Sequence, residues 1–104
     1  MAGMVAIYKM PADVEAFEKH YFGTHIPLAK KMPGLLKYEV SQGPITALAG
    51  PNDVYLIGAL HFDDLDAMKK AFASPEGRAT AADRQLYAPD DTGVQIFAFD
   101  TREV

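Results

Sequence analysis

Apolar residues fall into short tracts that switch between the alternating period of a strand and the three-to-four-residue period of a helix. Residues 4–9 (MVAIYK) are branched and aromatic and run up to Pro11, which predicts a first strand. Asp13 then caps a helix in which Val14, Phe17 and Tyr21 recur at helical spacing and Glu15 suits the positive end. Gly23 predicts a yield or kink, followed by a second helical segment over about residues 26–31 that Pro33-Gly34 ends. Residues 35–42 alternate Leu36, Tyr38 and Val40 against Lys37, Glu39 and Ser41, the pattern of a strand with one wetter face. Residues 43–53 are rich in glycine and proline and read as a loop.

Residues 54–62 (VYLIGALHF) are almost continuously apolar, which predicts a strand buried on both faces. Asp63 or Asp64 caps the next helix, with Leu65, Met68 and Phe72 as its apolar stripe. Ser74-Pro75-Glu76 starts another helix that continues to about Tyr87. A turn over residues 90–93 and a strand over 94–99 complete the chain. The order β-α-β-β-α-β is that of an α+β, ferredoxin-like domain over residues 1–104, with a four-stranded antiparallel sheet and helices on one face. Strands this apolar leave the other face needing a cover, so a homodimer is expected, sheet against sheet.

Composition narrows the partners. Of 104 residues, 49% are hydrophobic and 11% aromatic, enough for one core. A net charge of -4 argues against nucleic acid and anionic membrane as partners, since both require clustered Lys and Arg. The chain has no cysteine, which excludes disulfides, thiolate metal sites and a cysteine nucleophile. No basic leader precedes an apolar run, and residues 54–62 are too short to span a bilayer, so a cytoplasmic location is expected.

The chemistry centres on HYFGTHIPLAKK, residues 20–31. At about 100° per residue, Phe17, Tyr21 and His25 share one helix face while His20 lies elsewhere. His25 at the core edge suits an acid or base near neutral pH; the alternative is a capping role or a bond to a freed carbonyl. His61 either lines a pocket or is the polar end of its strand. Tyr8, Tyr38 and Tyr87 are candidates to hold a substrate oxygen, or core aromatics with hydroxyls at the rim. Asp83 either orients a histidine or is a surface carboxylate. Met4, Met10, Met32 and Met68 read as core filler. No metal-binding spacing, nucleophile elbow or phosphate loop is present.

Tyr8-Lys9 with Pro11, then Phe17, Tyr21, His25, Pro27-Leu28, Pro33-Gly34-Leu35, Phe62-Asp63 and SPEGRATAAD (residues 74–83) together resemble the EthD-like family of small dimeric α/β-barrel proteins. The resemblance covers nearly the whole chain. It implies a ferredoxin-like protomer packed on its twin, kinship with proteins of bacterial ether breakdown, and more distant kinship with polyketide cyclases, muconolactone isomerases and cofactor-free monooxygenases. His25 carries over most directly, with Tyr21 beside it; this chain has Tyr21 where members often have Trp and Tyr87 where they often have Phe. The expected function is small-molecule catabolism or biosynthesis without a cofactor or metal. His25 would be the catalytic acid or base, and Tyr8, Tyr21, Tyr38, His61 and Tyr87 would contact a small hydrophobic metabolite. The alternatives are a non-catalytic carrier of such a metabolite and a haem-binding protein.

Overall fold

The computed structural model describes residues 1–89 and 93–104. Strand β1 spans Ala2–Lys9, helix α1 Val14–His20 and α2 Ile26–Ala29, with a π-helical turn, Tyr21–His25, between the helices. Strands β2 (Lys37–Val40) and β3 (Val54–Phe62), helices α3 (Leu65–Ala73) and α4 (Pro75–Tyr87), and strand β4 (Val94–Asp100) follow. The sheet runs β2-β3-β1-β4, every neighbouring pair antiparallel. The turn expected at residues 90–93 lies mostly outside the described residues.

Cross-strand partners share a face, so the register sorts the side chains. Ala2, Ala6 and Tyr8 pair with Phe62, Gly58 and Leu56, and this row is buried beneath the helices. Val5 and Ile7 pair with Ala59 and Ile57 on the opposite face, joined by Phe97 across from Val5 and Phe99 across from Gly3. Strand β3 is therefore buried on one face and half-buried on the other, rather than on both as its apolar run suggests. Two clusters fill the space under the helices. One gathers Met32, Leu60, Phe62 and Met68; the other gathers Tyr8, Phe17, Tyr21 and Leu56. Burying a side chain such as Phe62 contributes about 1.5–3 kcal/mol. Met10 stands 63% exposed and is not core filler, because it follows the end of β1.

The helix ends follow their signals. Asp13 accepts from the Ala16 amide at 3.0 Å and Asp64 from the Ala67 amide at 2.7 Å. Ser74 closes α3 through its amide and opens α4 by accepting from the Gly77 amide at 3.0 Å. The chain doubles back so tightly there that a Cβ on Gly77 would lie 2.1 Å from the Ala71 carbonyl oxygen.

The yield or kink expected at Gly23 takes the form of a π-helical turn, Tyr21–His25, rather than a break in the backbone. The residues flanking the π turn are right-handed helical, and the Ile26 amide donates to the Tyr21 carbonyl five residues back. Pro27 explains the change of spacing better than Gly23 does. Proline has no amide to give the carbonyl four residues earlier and its ring crowds that carbonyl, so the ladder widens just before it. Gly23 has no heavy atom within 4 Å of where a Cβ would stand. Gly23→Ala should accordingly raise stability by roughly 0.5–1 kcal/mol in urea unfolding, and Gly77→Ala should lower it by about 2 kcal/mol or more. A destabilising Gly23→Ala would contradict the continuous helix.

Candidate functional site

The π turn determines which side chains meet. In an α-helix, positions five apart point about 140° apart; in a turn closed by five-residue bonds they come into line. His20 and His25 therefore face the same carboxylate. His20 Nε2–H donates to Asp83 Oδ1 at 2.9 Å, and His25 Nδ1–H donates to Asp83 Oδ2 at 2.9 Å. Asp83 and His25 are 7% and 8% exposed at the side chain, and His20 is 30% exposed. The expectation that His20 lies apart fails for this reason, and Asp83 is a buried orienting group rather than a surface carboxylate.

Aromatic rings hold the imidazole of His25. Phe17 stacks on Tyr21 with centroids 5.4 Å apart, and Tyr21 stacks on His25 at 5.6 Å. Tyr87 meets His25 edge-on at 4.9 Å. The helical spacing of Phe17, Tyr21 and His25 thus survives the change of turn. The tyrosine hydroxyls pair: Tyr8 with Tyr87 at 2.8 Å, and Tyr21 with Tyr38 at 2.7 Å. Gly58 makes room for the second pair, since a Cβ there would stand 2.8 Å from the Tyr21 hydroxyl.

A cavity of about 160 Å3 opens where the two core clusters meet, lined by His25, Tyr8, Tyr38, Leu60 and Thr80, among others. Because Nδ1 of His25 is held by Asp83, Nε2 is its nitrogen left for the cavity. His61 does not join this group. It shares the other sheet face with its cross-strand partners Gly3 and Lys37 and hydrogen-bonds Glu39 at 3.2 Å. A larger cleft of about 750 Å3, bordered by Met10, Phe22, Ile45 and Leu56, contains no histidine. Among the described residues no group of three or more His, Asp or Glu is arranged to hold a metal ion, and no helix is long and apolar enough to cross a membrane.

Burial decides the electrostatics. It pushes the His25 imidazole below its ordinary 6.5, with the Asp83 hydrogen bond and charge pulling it partly back. It also pushes up Tyr8, Tyr21, Tyr87 and Tyr38, the last to about 12, so all four phenols stay neutral and able to donate at physiological pH.

The EthD domain profile matches residues 9–89, which contain His20, His25, Asp83 and three of these tyrosines, Tyr21, Tyr38 and Tyr87. The chain belongs to the EthD family. An uncharacterised 11.0 kDa protein from the thcB-thcC intergenic region of Rhodococcus erythropolis is 36% identical over 89 residues, covering 85% of this chain and 84% of its own. An EthD family protein of Bacillus halodurans is 29% identical and superimposes with a TM-score of 0.87 over 98% of this chain and 99% of its own. Two more distant structures share the fold. One is a dimeric ferredoxin-like protein of unknown function from Thermobifida fusca (18% identity, TM-score 0.67, 96% and 90% covered). The other is SnoaB, a cofactor-independent oxygenase from Streptomyces nogalater (16% identity, TM-score 0.65, 99% and 94% covered).

The depressed His25 has a consequence for stability. Just below pH 6.5 the unfolded EthD chain binds a proton at this position that the folded chain does not, so stability falls as pH drops through that window. His25→Gln removes this contribution. Any stability advantage of wild type over His25→Gln should therefore shrink from about pH 7 to about pH 5 in parallel urea titrations; an advantage that grows on acidification would contradict the buried, neutral imidazole.

Proposed function

We propose that this EthD-family protein is a cofactor-independent acid/base enzyme acting on a small, largely apolar carbonyl compound in catabolism, with His25 as its base. The observation that carries this reading is the Asp83-held His25 at the edge of a cavity that Tyr8 and Tyr38 also line. Nε2 removes a proton next to the substrate carbonyl, and the Asp83 carboxylate favours the imidazolium that forms. The neutral phenols of Tyr8 and Tyr38 donate to the oxygen on which negative charge develops, while Tyr21 and Tyr87 hold those phenols in place. Returning the proton to another carbon completes an isomerisation; giving it to a departing hydroxyl completes a dehydration. A cavity of about 150 Å3 accepts one benzene-sized ring, so the cavity of about 160 Å3 suits a single-ring substrate.

A panel of acetophenone, cyclohexanone and γ-butyrolactone in deuterated buffer tests the chemistry. At least one should exchange its α-hydrogens faster with enzyme than without, and His25→Gln should lower that acceleration by about 10²–10⁴-fold. Binding with exchange no faster than in the variant would favour the non-catalytic carrier instead.

The assembly inferred is a homodimer through the uncovered sheet face, where Phe97 is 50% and Phe99 43% exposed beside Val5 and Ile7. The dimeric Thermobifida fusca protein of the same fold supports it. In sedimentation velocity the wild type should run as a dimer and Phe97→Glu with Phe99→Glu as a folded monomer; a monomeric wild type at micromolar concentration contradicts this.

A further inference from the structure

His20 has no task in the chemistry above, yet it donates to the same carboxylate as the base. The cluster has one carboxylate and two imidazoles, arranged from a buried end to a half-open one: His25 against the cavity, Asp83 between, His20 reaching water. One carboxylate balances one positive charge. A second imidazolium added to the group faces a charge already neutralised, so protonation of either histidine opposes protonation of the other. Solvation separates the two. An imidazolium at His20 is partly hydrated, whereas one at His25 is enclosed by Tyr21 and Tyr87, so a charge costs less at His20 than at His25.

We propose that His20 is a positioning residue that acts through Asp83 as the solvent-side proton outlet of the site, carrying the resting charge and surrendering it when His25 takes a proton. This rests on His25 being the base in the proposed function. The step balances without a proton crossing the carboxylate. The substrate C–H bond breaks and an N–H bond forms at His25 Nε2. The His20 nitrogen not bonded to Asp83 then gives its proton to water. The carboxylate ends as it began, paired with one imidazolium, now the one beside the reacting carbon. Resetting the site reverses both transfers. At rest the arrangement keeps Nε2 of His25 unprotonated and ready to accept.

Other groups around His25 do not disturb the exchange. From α4 it meets Asp83, Arg84 and Tyr87, from the π turn Tyr21, and across the cavity Tyr8 of β1 and Tyr38 of β2. The phenols are neutral in the relevant range. Arg84 donates to the Ala88 carbonyl at 2.8 Å and adds a fixed charge that disfavours a resting imidazolium at His25.

The test is the protonation midpoint of His25 in the ligand-free protein, followed by its ring signals in NMR, in wild type, His20→Gln and His20→Lys. Gln removes the competing charge and should raise the midpoint by about one pH unit, a tenfold change in proton affinity. Lys keeps a positive charge at every pH used and should leave the midpoint at or below that of wild type. A purely structural role for His20 would move both variants the same way. Midpoints within about 0.3 unit across all three proteins, or a Lys midpoint above the Gln midpoint, overturn the proposal. The measurement needs no turnover, so failure of the proton-exchange assay and failure of this coupling are read separately.

Discussion

The buried carboxylate of Asp83 is the constraint on which the site depends. An ionised carboxylate removed from water is costly unless it is paired and hydrogen-bonded. Here each oxygen accepts one imidazole N–H at 2.9 Å. Meeting that requirement ties α4 to the helical segment between β1 and β2, and so fixes the helices over the sheet.

The π turn is the local device that lets one carboxylate serve two histidines. Its cause lies in Pro27, which cannot continue the four-residue ladder, and its effect is felt at His20 and His25. Single widened turns of this kind recur at functional sites because they change which side chains line up without breaking the helix. The aromatic rings complete the arrangement: Tyr21 and Tyr87 confine His25, Phe17 backs Tyr21, and the paired hydroxyls leave neutral phenols at the cavity.

Much of the fold was legible because its signals are local. Asp13, Asp64 and Ser74 cap the helices that their spacing predicts, and residues 54–62 form β3 with the expected bounds. The family resemblance was legible for the same reason, since its motifs are contiguous. The site was legible in its residues but not in its connections. His25 and Tyr21 follow from helical spacing, whereas the role of His20 depends on a turn that the periodicity of an ordinary helix hides. Asp83 sits among polar neighbours in AADRQLYA, and only its tertiary partners, 63 and 58 residues away, reveal it as buried. The Tyr8–Tyr87 pair spans 79 residues and leaves no local trace. His61 lies on the sheet face away from the cavity, and no local pattern tells which face of β3 carries the cavity.

The central claim is that Asp83 fixes His25 with Nδ1 protonated and Nε2 bare toward the cavity. Long-range nitrogen–proton correlation NMR of the imidazole at neutral pH measures this tautomer directly. The account predicts a protonated Nδ1 and an unprotonated Nε2 for His25, lost when Asp83 becomes Ala; a bare Nδ1 with the proton on Nε2 in the wild type would contradict it.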